Sequence, residues 1–153
     1  MRREDVARAL GGALIASCQP VPAGPTDSVE FIVGFACAAR DGGARGLRIE
    51  GVANVAAVAA ACPLPVIGLV KRDLTDSAVR ITPFVDDAVA LARAGARIVA
   101  FDATRRARPA AVADMVAAIH AAGALAMADI ATLDEARAAI AAGVDIVGTT
   151  LSG

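Results

Sequence analysis

Tryptophan and tyrosine are absent from these 153 residues and phenylalanine occurs four times, so no aromatic platform exists on which nucleic-acid bases would stack. A charge excess of either sign is missing too. Fifteen Lys and Arg stand against sixteen Asp and Glu, and a net charge of -1 gives no global field for DNA, RNA or an anionic membrane. Cysteine is scarce: Cys18, Cys37 and Cys62 are odd in number and too far apart for a CxxC pair, which argues against a disulfide framework and a zinc knuckle. Reduced thiols in the cytoplasm are the expectation. The longest apolar run, 55–70, is broken by Pro63 and Pro65 and falls short of the roughly 20 residues that a spanning helix needs. A basic Met1-Arg2-Arg3 start followed by an apolar stretch ending at Cys18 has the outline of a lipoprotein signal, but Glu4 and Asp5 spoil the leader. Leu14-Ile15-Ala16 reads equally well as a buried strand.

What is present is alanine, 57% hydrophobic residues overall, and a regular alternation. Short β-rich runs at 14–17, 46–49, 66–70, 98–101, 124–128 and 145–148 are separated by helical stretches at 29–40, 52–60, 85–94, 110–121 and 133–141. A short helix is expected at 4–10. Asp27 or Ser28 and Thr132 stand where N-caps belong. Three helices end in one phrase, Ala94-Gly95-Ala96, Ala122-Gly123-Ala124 and Ala142-Gly143-Val144, where a left-handed glycine can stop the helix and turn the chain into the next strand.

Repeated βα units of this kind predict an α/β chain forming a single domain over 1–153. No GxGxxG follows the first strand and no P-loop occurs, so the favoured architecture is a parallel (β/α)8 TIM barrel, incomplete here with about six strands. An open flavodoxin-like sheet is the runner-up.

A barrel gathers the residues at the carboxyl end of each strand onto one rim. The six strands deliver Ser17, Cys18, Gln19 and Pro20; Arg48, Glu50 and Gly51; Lys71, Arg72 and Asp73; Asp102 and Thr104; Asp129; and Thr149, Thr150 and Ser152. That set can grip a polar anion and move a proton. Lys71 follows the apolar strand Val66-Ile67-Gly68-Leu69-Val70, which would hold its ammonium partly desolvated, the setting of a proton-transferring lysine. It could instead pair with Asp73 or cap the sheet. Arg48, amid apolar neighbours, points into a polar mouth or pairs with Glu50. His120, near the end of its helix, is expected to be structural or exposed. Arg105, Arg106 and Arg108 are expected to be solvated or paired with neighbours such as Asp102, rather than to bind nucleic acid.

Assembled in order, Ser17-Cys18-Gln19-Pro20, Arg48-Ile49-Glu50-Gly51, Ile67-Gly68-Leu69-Val70-Lys71-Arg72-Asp73-Leu74, Val79-Arg80-Ile81-Thr82-Pro83, Phe101-Asp102-Ala103-Thr104, Met127-Ala128-Asp129 and Gly148-Thr149-Thr150-Leu151-Ser152-Gly153 resemble the bacterial N-acetylmannosamine-6-phosphate 2-epimerase family. The resemblance runs along nearly the whole chain. It implies a (β/α)8 barrel that interconverts N-acetylmannosamine 6-phosphate and N-acetylglucosamine 6-phosphate in sialic acid catabolism, with a sugar phosphate as ligand, no cofactor, no metal, no nucleic acid and no membrane. It further implies proton transfer by Lys71, sugar contacts by Gln19, Arg48 and Asp129, and a homo-oligomer at full length. A barrel of this kind has about 250 residues and binds phosphate after strands seven and eight. The expectation is therefore a fragment without its second acid/base or phosphate cradle, its outer strands left with open edges. The alternatives are a non-catalytic barrel fragment needing a complementing C-terminal chain and a Schiff-base lysine aldolase on the same fold.

Overall fold

The computed structural model describes residues 3–152, so the first two residues of the basic leader and the last glycine of the Gly148 phrase lie outside the described residues. A first helix, α1 (Arg3–Leu10), precedes five βα units and a final strand. These are β1 (Ile15–Cys18), α2 (Val29–Asp41), β2 (Gly46–Glu50), α3 (Val52–Ala61), β3 (Val66–Leu69), α4 (Val85–Arg93), β4 (Ile98–Asp102), α5 (Val112–Ala121), β5 (Leu125–Asp129), α6 (Leu133–Ala141) and β6 (Ile146–Gly148).

All six strands are parallel and lie in chain order, β1 beside β2 through to β6. This corrects the flavodoxin-like runner-up, in which the first strand lies inside the sheet and the winding reverses around it. One-way winding curls the sheet into the wall of an incomplete barrel.

Local chemistry explains where the helices start and stop. Ser28 caps α2 by accepting from the Phe31 N–H. Thr132 opens α6 with a capping box: its hydroxyl accepts from Glu135 N–H while Glu135 accepts from Thr132 N–H, an arrangement worth about 1 kcal/mol. Gly95, Gly123 and Gly143 have φ of 108°, 83° and 94°, the left-handed geometry anticipated for the three repeated helix ends. Helix α5 starts two residues later than expected because Ala111 remains extended.

Two separate cores result. Between sheet and helices, Leu47, Ile49, Val99 and Phe101 pack with Ile32, Val55, Val58, Leu91 and Ile119. Small residues allow close approach there; a Cβ on Gly68 would stand 2.9 Å from Ala96 Cβ and 3.3 Å from Val55 Cγ2. Inside the curl, Ile67, Leu69, Ile98, Ala100 and Met127 form a second core, closed from below by Val6 of α1 with Leu10, Leu125 and Ile146 against it. Arg3 ties α1 down through Asp145, at 2.8 Å. The outer strands are less covered, as Leu14 (65% exposed) and Ile15 (37%) illustrate at β1.

One segment departs from the simple βα alternation. The β3–β4 ladder runs only from Ile67 opposite Ile98 to Gly68 opposite Val99, and then the strands part. Residues 80–82 fill the gap: Lys71 bridges Ile81 in antiparallel sense, Thr82 N–H donates to Val70 O, and Asp102 N–H donates to Ile81 O. Thr82 is buried, with φ of 44°, an uncommon conformation for a β-branched residue. Its hydroxyl donates to Ala100 O at 2.7 Å and accepts from Val70 N–H, contacts that hold the strained backbone in place.

Candidate active site

Side chains alternate along a strand, so the positions that carry the inner core continue upward into the barrel mouth. On β2 they are Arg48 and Glu50; on β4 and β5 they end in Asp102 and Asp129. Apolar below and ionised above, each strand changes character within two residues.

Arg48 crosses the mouth to β5. Its Nη2 donates to Asp129 Oδ2 at 2.6 Å and its Nη1 to Oδ1 at 3.2 Å, a two-point grip on a carboxylate with no exposed side-chain surface. Met127 Sδ lies 3.9 Å from Nη1. A charged pair this enclosed is held by geometry and by its bonds, since either member alone would be a buried uncompensated charge. Of the two sequence alternatives for Arg48, the polar mouth is the one observed; its partner is Asp129 rather than Glu50.

Lys71 keeps 31% of its side chain exposed, and its Nζ lies 3.1 Å from Glu50 Oε2. The alternative pairing with Asp73 is not formed. Asp73 is bound by Arg80, at 3.1 Å between Nη2 and Oδ2, and this hydrogen bond holds the Asp73 carboxyl below its usual range. Pro20, Val21, Pro22, Glu50, Lys71, Asp73 and Arg80 line a cleft of 340 Å³, open to solvent at the rim. Lys71 is also the only lysine of the chain, a signal visible in the sequence that marks the position more sharply than its strand context does.

Gln19 stands apart from both pairs. Its Nε2 donates to Ser17 Oγ at 2.6 Å on the outer strand β1. The structure thus brings Arg48 to Asp129 and Lys71 to Glu50, two pairs joined through β2, and leaves Gln19 at the open side. Sequence position alone suggests Glu50 only as a partner for Arg48.

The neighbouring loops are fixed. Asp102, buried, accepts from Thr104 N–H at 2.8 Å and pairs with Arg106 and Arg108 at 3.4 and 3.3 Å, the neutralisation expected for that arginine run. Glu135 is held below the usual carboxylate range, first by the N–H of Arg105 at 2.9 Å, then by those of Ala131 and Thr132 against the opposing effect of burial. Arg72 is engaged by Asp87, at 2.7 Å from Nε. At the opposite end, His120 is half exposed and meets Asp145 at 2.7 Å, far from the mouth. Among the described residues, no cluster of His, Cys, Asp and Glu could hold a metal ion, and no helix is long and apolar enough to cross a membrane.

Residues 32–153 match the family profile of N-acetylmannosamine-6-phosphate epimerase (NanE). The chain is 60% identical over 150 residues to the bifunctional enzyme NanE/NanK of Brucella melitensis, covering 98% of this chain and 29% of that protein. The crystallised N-acetylmannosamine-6-phosphate 2-epimerase of Clostridium perfringens superposes with a TM-score of 0.93 at 40% identity, over 96% of this chain and 65% of that one. The chain therefore spans about two thirds of that structural relative and less than a third of the bifunctional enzyme. The deoxyribose phosphate aldolase of Aeropyrum pernix, at 19% identity and a TM-score of 0.64, shares the fold alone.

Proposed function

Because the chain belongs to the N-acetylmannosamine-6-phosphate epimerase family, we propose that it supplies the first six strands and one acid/base group of an enzyme interconverting N-acetylmannosamine 6-phosphate and N-acetylglucosamine 6-phosphate. The observation that carries this reading is the single lysine at the rim, set beside a carboxylate in an open cleft. Inversion at C2 requires loss of the proton next to a carbonyl, stabilisation of the resulting enolate, and return of a proton to the other face. Lys71 is the proposed proton-transfer group on one face.

Arg48 is proposed to hold the sugar. Asp129 and Met127 occupy three of its N–H groups, which leaves Nε and one N–H of Nη2 for ligand oxygens. Asp129 fixes the guanidinium and accepts from it, and Gln19 closes the β1 side. The phosphate has no assigned residue here. The three cysteines are all free, which supports a reducing, cytoplasmic setting. A single domain and a homo-oligomer of the full-length enzyme complete the proposal.

The test is isotopic. Incubated with either sugar phosphate in deuterium oxide, the wild-type chain should exchange the C2 proton, and Lys71→Ala should abolish exchange. An inert wild type, or an active Lys71→Ala, refutes the assignment for this chain.

A further inference from the structure

Among the described residues, one buried side-chain polar atom has no hydrogen bond: Glu50 Oε2. It lies 3.1 Å from Lys71 Nζ, so the two are an ion pair in which the ammonium does not direct an N–H along the hydrogen-bonding line. Leaving a buried carboxylate oxygen unsatisfied is unfavourable, and such atoms call for a specific reason.

Every other charge around the cleft has its own partner. Asp73 and Arg80 hold each other within the loop that follows β3, Arg72 is held by Asp87, Arg48 by Asp129, and Asp102 by Arg106 and Arg108. The loop after β1 contributes Pro20, Val21 and Pro22, which carry no charge. Glu50 is thus the carboxylate that Lys71 pairs with, and its charge also reaches Arg80 across the same cleft. Its backbone is fixed as well: Glu50 pairs in register with Leu69 of β3, and its carbonyl accepts from Asn54 Nδ2 at 2.9 Å.

We infer that Glu50 is a positioning residue for Lys71, aiming the amine into the cleft. The inference rests on the reading of Lys71 as the proton-transfer group. Physically, a carboxylate on a fixed backbone beside the amine restricts four rotatable bonds to one useful orientation. A lone Lys71 would lose that restriction.

The single lysine makes this directly measurable, since lysine labelled with ¹³C at Cε gives one resonance in the intact chain. In Glu50→Gln, that resonance should move from its wild-type position, because the ammonium has lost the carboxylate 3.1 Å away. In Glu50→Asp, which keeps the charge on a shorter stem, it should fall between the two. With the sugar phosphate as substrate, Glu50→Gln should lower kcat for C2 exchange by about 100-fold while KM stays within about threefold, and Glu50→Asp should recover part of the loss. An unmoved lysine resonance in a folded Glu50→Gln chain overturns the inference, as does an unchanged kcat. If wild type performs no C2 exchange, the epimerase reading fails for this chain, and the resonance still decides whether Glu50 governs Lys71.

Discussion

The floor and the mouth of this barrel are built from the same strands and obey opposite rules. At the floor, Ile67, Ile98, Leu125 and Ile146 point inward onto Val6 and Leu10 of α1, and polar groups stay at the margin, where Asp145 binds Arg3 and His120. At the mouth, two to four residues further along, the inward positions are Arg48, Glu50, Asp102 and Asp129, largely or wholly out of water and matched as ion pairs. Hydrophobic burial stabilises the first at little risk, whereas buried ion pairs contribute weakly to stability once desolvation is counted. The difference marks one end as scaffold and the other as the candidate site.

Breaking the mouth should have the largest effect. Arg48→Met leaves the buried Asp129 carboxyl without its cation partner, a change that costs about 4 kcal/mol. The double variant Arg48→Met/Asp129→Leu should recover most of that stability in urea unfolding without regaining sugar binding, the outcome expected of a pair retained for chemistry. A double variant as unstable as the single one would make the mouth a structural element like the floor.

The floor should respond through packing alone. Ile98→Ala removes a fully buried side chain and should cost about 3 kcal/mol, with the Cε resonance of Lys71 unmoved. A displaced resonance would show the two ends to be coupled through β4.

The smallest effect belongs to the floor's polar margin. Burial pushes the Asp145 carboxyl up, but the N–H of Ala126, His120 and Arg3 outweigh it, and the net direction is below the ordinary carboxylate value. A depressed folded value means that this stabilisation is present above the unfolded value, about 3.9, and is lost as pH falls through the folded value. Asp145→Asn should therefore be less stable than wild type at neutral pH, by about 1 kcal/mol given how exposed Arg3 and His120 are. The gap should close under acid. A gap that persists at pH 2 would assign the loss to packing instead.

The floor was almost fully legible in the sequence. Alternating apolar runs and the three Ala-Gly helix ends located the strands and helices to within a residue or two, because period and turn chemistry are local. The mouth was legible only in part. The strand ends named Lys71, Arg48, Asp129 and Gln19 as rim residues, but partner choice is set by barrel curvature, which carries Arg48 past two intervening strands to Asp129 and turns Lys71 toward Glu50 rather than Asp73. Val79-Arg80-Ile81-Thr82 alternates β-branched and polar residues but is cut off by Pro83 and too short to mark a strand by itself; Ile81 and Thr82 enter the wall through long-range backbone bonds.

That inserted segment also changes the shape of the vessel. Counted at the floor, the wall has six staves; counted at the rim, where residues 80–82 stand between Val70 and Ala100, it has seven. A wall with an extra stave at one end flares. The lysine is therefore carried on the wide lip of a funnel whose narrow end is plugged by a helix, and Thr82, in its left-handed conformation, is the peg that keeps the lip spread.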